Sequence, residues 1–125
     1  MYMWYSVVVW KVELEPIREW LQTLDKPSKE QVAAAIMLLQ REGPDLKRPL
    51  VGKIVTSRYR NMKELRPGSA GRSEIRILFM FDPQRSAILL VGGDKAGKWD
   101  KWYRKAIPQA ERIYEQWIRQ SEKGR

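Results

Sequence analysis

The sequence predicts an α+β fold, and three observations carry that prediction. A β-rich segment opens the chain, two amphipathic helical stripes follow it, and three strand-like runs separated by turn residues come next. A last helical stripe closes the order. Helices gathered on one face of a mostly antiparallel sheet fit this arrangement. A length of 125 residues suits a single domain spanning 1–125.

The first strand is expected at 5–10, "YSVVVW", which is rich in β-branched and aromatic residues. A helix follows over 15–24. Pro16 suits its first turn, and Ile17, Trp20, Leu21 and Leu24 recur at helical spacing. After the break "DKPS", Ser28 is the expected cap of a second helix, with Gln31 three residues on. Val32, Ala35, Ile36 and Leu39 form its apolar face, and Gly43 followed by Pro44 ends it. The short break makes the pair a helical hairpin.

Residues 44–61 carry weaker patterning, with "KIVTS" at 53–57 as a short strand. The β signal then becomes clear. "MKELR" at 62–66, "EIRILFMF" at 74–81 and "SAILLVGG" at 86–93 read as strands, separated by "PGSAGRS" and "DPQR". They form an antiparallel meander. A C-terminal helix is expected over 107–121, with Pro108 in its first turn and Ile107, Ala110, Tyr114 and Trp117 as its apolar stripe.

Composition narrows the chemistry. The chain has no cysteine and no histidine, which removes thiolate chemistry, the commonest general base and the commonest metal ligand. Catalysis would have to run on Lys, Arg, Glu, Asp and Tyr. With no carboxylate cluster either, no metal and no cofactor are expected. No apolar run reaches the length of a membrane span, and the first residues lack the basic region and cleavage site of a signal peptide. These features predict a cytoplasmic protein that does not engage a membrane.

The net charge of +9 is unevenly spread. Residues 47–76 hold nine basic and two acidic residues, and residues 95–105 hold five basic and one acidic. If folding joins these stretches, they make a surface suited to phosphates and point to a nucleic-acid partner.

Strand alternation sharpens the point. In 74–81, Ile75, Ile77, Phe79 and Phe81 share the core face. Glu74, Arg76, Leu78 and Met80 share the other, open face, which Glu64 and Arg66 of the preceding strand also join. A symmetric 67–73 loop sets Glu64 opposite Arg76 and Arg66 opposite Glu74, and the following turn sets Gly92 opposite Arg76. The bland reading is two cross-strand ion pairs, each worth about 0.2–1 kcal/mol. The sharper reading is an anion cradle. Gly92 leaves an open floor beside Arg76, and Lys95 stands at its rim. A carboxylate among several cations beside a cleft is what phosphate chemistry without histidine needs.

The segment "KAGKWDKWYRK" interleaves Lys98, Lys101, Arg104 and Lys105 with Trp99, Trp102 and Tyr103, a mixture suited to unstacked bases and backbone phosphates. At least one of Trp99 and Trp102 is expected to pack the core, whereas the Tyr103 phenol can be aimed into the cleft. Arg58, Arg60, Lys63, Arg72, Lys98, Trp99 and Lys101 are the candidate RNA-binding residues.

The ordered set "LKRP", "NMKELRPGS", "IRILF" and "LLVGGDK", and above all "KELRPGSAGRSEIRILFMFDP" followed by "ILLVGGDKAGKW", resembles the RelE/ParE superfamily of toxins, closest to its HigB-like, phage-related branch. The resemblance spans about 5–118. It implies a ribosome-dependent mRNA endonuclease that inhibits translation, neutralised by a cognate helix-turn-helix antitoxin. Matched to the family's motifs, the "LR" arginine is Arg66, the arginine of the next strand is Arg76, the basic residue past the last strand is Lys95, and the C-terminal tyrosine is Tyr103. Glu64 stands where a family lysine is expected, and Lys63 is predicted to face the core side. The resemblance implies 2′-hydroxyl attack on the adjacent phosphorus, which leaves a 5′-hydroxyl. In that chemistry Glu64 serves as base, Arg66 and Arg76 stabilise the phosphorane, and Lys95 or Tyr103 assists the leaving group. Two alternatives stay open: a gyrase-poisoning relative that cuts nothing, and a non-catalytic RNA-binding module.

Overall fold

The computed structural model describes residues 9–68 and 71–123. Strand β1 (Lys11–Glu13) leads through a 3-10 turn at Glu15–Ile17 into helix α1 (Arg18–Gln22) and helix α2 (Lys26–Glu42). Strands β2 (Val51–Lys53), β3 (Lys63–Leu65), β4 (Ile75–Phe81) and β5 (Ser86–Asp94) follow, and helix α3 (Trp99–Lys123) ends the described chain. The five strands form one mixed sheet in the order β1-β5-β4-β3-β2. Strand β1 runs parallel to β5, and all other pairs are antiparallel. The α+β class predicted from sequence is therefore the class observed. Among the described residues no helix is long and apolar enough to cross a membrane.

The layering differs from the expectation of helices on one face. Apart from Arg76 and their end residues, strands β4 and β5 are apolar on both sides, and each side is covered. Ile75, Ile77 and Phe79 pack with Val32, Ala35 and Leu39 of α2. Leu78 and Met80, expected on an open face, pack with Ala106, Ile107 and Ala110 of α3. A central strand without a polar alternate has no face to give to water, so a helix must close each.

Several boundaries also move. The first strand expected at 5–10 lies mostly outside the described residues, and the observed strand begins at Lys11. The cap of α2 is Asp25 rather than Ser28: its carboxylate accepts from the Ser28 amide at 2.9 Å, and Pro27 occupies the first turn. Gly43 ends the helix as expected, at φ 56°, where a side chain would be strained. The short strand expected at 53–57 instead covers Val51–Lys53. Residues 54–62 loop out, closed by the Ile54 amide bonding to the Met62 carbonyl.

Helix α3 starts at Trp99, eight residues before the expected start, and Pro108 sits inside it. An interior proline loses one helical hydrogen bond, at about 3 kcal/mol. Burial of Ala106, Ile107, Ala110 and Tyr114 on one continuous face outweighs that loss.

Candidate functional site

The site is built on the inner strands, where register decides what meets. Strand β3 pairs with β4 as Glu64↔Leu78 and Leu65↔Ile77. This is two residues away from the symmetric closure that set Glu64 against Arg76. Core pairing of Leu65 with Ile77 fixes the register, and the loop absorbs the difference. Carried one residue further, it brings Arg66 and Arg76 alongside each other. Two like charges so placed repel unless an anion lies between them. That anion is Glu64.

Glu64 is 2% exposed. Its Oε2 takes both Nε and Nη2 of Arg66 at 3.3 Å. Its Oε1 lies 3.5 Å from Arg76 Nε and accepts the phenol proton of Tyr103. The Arg76 ion pair is close but poorly aligned. Its Nε is buried without a hydrogen-bond partner, while Nη1 donates to the Ile75 carbonyl at 2.8 Å. Burial, then the bond to Glu64, pushes the Tyr103 phenol well above its ordinary range.

Strand β5 carries a bulge at Leu90, between the pairs Leu78↔Val91 and Phe79↔Leu89. The extra residue turns the end of the strand over. Arg76 consequently lies opposite Gly93, not Gly92. The expected open floor is also covered. A Cβ on Gly93 would meet the Trp102 indole, and one on Gly92 would meet Trp20. Both glycines admit an aromatic ring rather than a ligand.

Lys95 sits in the turn between β5 and α3. The Asp94 carboxylate fixes that turn by accepting from the amides of Glu74 and Ala96, and Gly97 takes φ 70°. Lys95 Nζ lies 3.6 Å from Glu74 and over two rings, 5.1 Å from Trp99 and 5.6 Å from Tyr103. The fold thus brings together all five residues singled out as a cradle: Glu64, Arg66, Arg76, Lys95 and Tyr103. With Glu74 included, three cations face two carboxylates.

Beside this cluster runs a cleft of about 670 Å³ between α3 and residues 53–56. Trp99, Tyr103, Ile107 and Glu111 line it at four-residue spacing along α3, and Glu64 stands on its floor. Its outer wall is tied to α3. Glu111 accepts from the Ser57 hydroxyl at 2.8 Å and the Arg58 amide at 2.9 Å, while Glu115 accepts from the Arg58 guanidinium and the Tyr59 phenol.

The seven expected RNA-binding residues are scattered. Trp99 is 59% exposed at the cleft, and Trp102 is the tryptophan that packs against the core. Lys98 and Lys101 border a separate groove on the other flank of α3, beside Trp102. Arg58 is held by Glu115, and Arg60 and Arg72 are exposed on loops. Lys63 shares a strand with Glu64 but points to the opposite face, as its alternation requires.

Sequence reasoning missed Gly52 and Glu111. A Cβ on Gly52 would strike the Arg66 guanidinium, so this glycine makes room for it. Glu111 could have been found from the 99, 103, 107, 111 spacing once the true start of α3 was known. Among the described residues no group of three or more His, Cys, Asp or Glu is placed to hold a metal ion.

Comparison with known proteins adds ancestry to this geometry. Residues 19–115 match the family described as Phage derived protein Gp49-like (DUF891). Two proteins of Mycobacterium tuberculosis (strain ATCC 25618 / H37Rv) are similar to the chain. "Putative toxin HigB2" is 50% identical over 115 residues, which is 92% of this chain and 57% of that protein. "Putative toxin HigB3" is 51% identical over 105 residues, 84% of this chain and 90% of that protein. The chain therefore spans little more than half the length of the first relative and nearly all of the second.

Proposed function

We propose, from the premise that the chain belongs to the Phage derived protein Gp49-like (DUF891) family, the family of HigB-type toxins, that it is the toxin of a toxin–antitoxin pair and cleaves mRNA on the ribosome. The observation that carries the cleavage reading is the convergence of Arg66, Arg76 and Tyr103 on one buried carboxylate, Glu64, with Lys95 next to them.

The reaction is transesterification within the RNA. Glu64 takes the 2′-hydroxyl proton, the 2′-oxygen bonds to the adjacent phosphorus, and the bond from phosphorus to the 5′-oxygen breaks. The products are a 2′,3′-cyclic phosphate and a 5′-hydroxyl. Arg66 and Arg76 face the phosphorane and stabilise its added charge. The Arg76 guanidinium is only loosely engaged by Glu64, with no aligned hydrogen bond from its Nε, so it can turn toward a phosphate oxygen. The leaving 5′-oxygen needs a proton, and Tyr103 holds one firmly at neutral pH. Lys95 is the second candidate for that role. A helix-turn-helix antitoxin is the proposed inhibitory partner, consistent with a basic surface that a protein can cover.

The test is induced expression in a host without a cognate antitoxin, followed by mapping of transcript 5′ ends. Growth arrest with cuts bearing 5′-hydroxyls within coding regions supports the reading. Arrest with DNA-damage signalling and intact transcripts would point to a gyrase poison instead.

A further inference from the structure

We infer that the cleft between α3 and residues 53–56 seats a guanine base of the RNA strand, next to the phosphate that is cut. The inference rests on the cleavage reading above and extends it to substrate choice.

Continuity is the first argument. Glu64 and Tyr103 belong both to the charged cluster and to the cleft, so a strand whose phosphate lies at the arginines must run into the cleft or away from it. From Trp99 to Glu111 the cleft follows α3 for about 18 Å at 1.5 Å per residue, and its volume of about 670 Å³ lies in the range that holds small ligands. Shape is the second. Ile54 and Ile107 make apolar walls, the largely exposed Val55 borders the cleft, and the exposed Trp99 ring offers a stacking surface.

The polar groups then choose the base. Both hydrogen bonds recorded to Glu111 land on Oε2, from Ser57 and the Arg58 amide. A carboxylate offers about four acceptor positions and no donor, so Oε1, which takes no hydrogen bond among the described residues, leaves about two on a residue that lines the cleft. Guanine alone among the four bases presents two adjacent N–H donors, at N1 and N2. Adenine and cytosine place an acceptor beside their amino group, and uracil flanks its single N–H with carbonyls, so each sets a lone pair against the carboxylate. Arg104, also lining the cleft, supplies donors for the guanine carbonyl or a neighbouring phosphate.

Mapping of 5′ ends after induction tests this with three chains. For the natural sequence, guanine should be enriched about tenfold at one fixed position relative to the cut, which is the discrimination of one good base contact. Glu111→Gln keeps a carbonyl oxygen for Ser57 and Arg58 but turns a donor toward the base. Among the cuts that remain, the guanine preference should vanish. Val55→Trp fills the cleft from a position 86% exposed, so folding is spared, and it should lower the number of cuts about tenfold. Cuts by the natural chain without guanine enrichment would overturn the inference and leave the cleavage reading standing. So would an unchanged preference in a folded Glu111→Gln chain. If Val55→Trp left the cuts intact and weakened antitoxin binding, the cleft would belong to a protein partner and the inference would fall. Absence of any cuts from the natural chain would sink both readings.

Discussion

The guanidinium of Arg66 lies against the bare backbone of Gly52 on the neighbouring strand, closer than 3.0 Å to where a side chain would begin. Gly52 is itself paired with Glu64. One missing side chain therefore lets the arginine fold back over the sheet and reach the carboxylate.

Gly52→Ala tests whether the place of Arg66 matters. The atoms in the way are the far end of a flexible side chain, so the chain should still fold, at a loss of about 1–3 kcal/mol for the bonds to buried Glu64 that are given up. Arg66 must nevertheless leave its place beside Glu64. We expect RNA cleavage to fall at least about tenfold, checked by denaturant melts beside a cleavage assay. Full activity would show that the position of Arg66 is immaterial.

Arg76 should matter for both properties. Its side chain is only 15% exposed, so Arg76→Ala removes a buried partner of Glu64. We expect a loss of about 1–3 kcal/mol, more than a surface ion pair would give. The rate should fall about a hundredfold or more if the guanidinium faces the phosphorane. Arg76→Lys keeps the charge and loses the planar fork, so it should stay folded and still fail to arrest growth. Undiminished toxicity in a folded Arg76→Ala chain would return this residue to a structural role.

The Tyr103 phenol offers a pH test. Its folded pKa lies above the unfolded value of about 10. Below that value both states hold the proton and the stabilisation is fully present. Above it the unfolded chain releases the proton while the folded chain keeps it, so stability falls as pH rises toward the folded pKa. Tyr103→Phe should flatten part of that fall. Denaturant midpoints measured on both sides of about pH 10 would check it, and parallel curves for the two chains would count against a coupled phenol.

Gly93→Ala should destabilise by about 1–3 kcal/mol, because its Cβ would meet the packed Trp102 indole. Trp102→Phe should recover part of the loss when the two changes are combined. A double-mutant cycle reads that coupling directly, and strict additivity would mean the contact is not made.

Legibility of the fold followed pattern. Helix α2 and the strands β4 and β5 announced themselves through periodic apolar residues and turn signals. What failed was register and termination. A loop as long as the seven residues expected at 67–73 has no single preferred closure, so the two-residue offset could not be read. The bulge at Leu90 hides in "ILLV", a run apolar on both faces, and with it went the distinction between Gly92 and Gly93. Pro108 imitated a helix start, although the stripe continued before it. The five cradle residues were still named together. Charge alternation puts Glu64, Arg66 and Arg76 on one face whatever the two-residue offset, since a shift of two preserves sidedness. Burial of Glu64 was not legible, because it depends on α3 closing over that face.

The bond between Tyr103 and Glu64 joins residues 39 positions apart, and this has a bearing on synthesis. As the chain leaves the ribosome, β3 and β4 emerge first and carry the carboxylate and both arginines. The phenol, the Trp99 ring and one whole wall of the cleft arrive only with α3. Contacts of such separation form late, once the intervening chain is free to close the loop. A nascent chain therefore lacks a finished centre while most of it is still being made. If the cluster cuts RNA as proposed above, the order in which the parts appear keeps that activity from the chain until its synthesis is nearly finished.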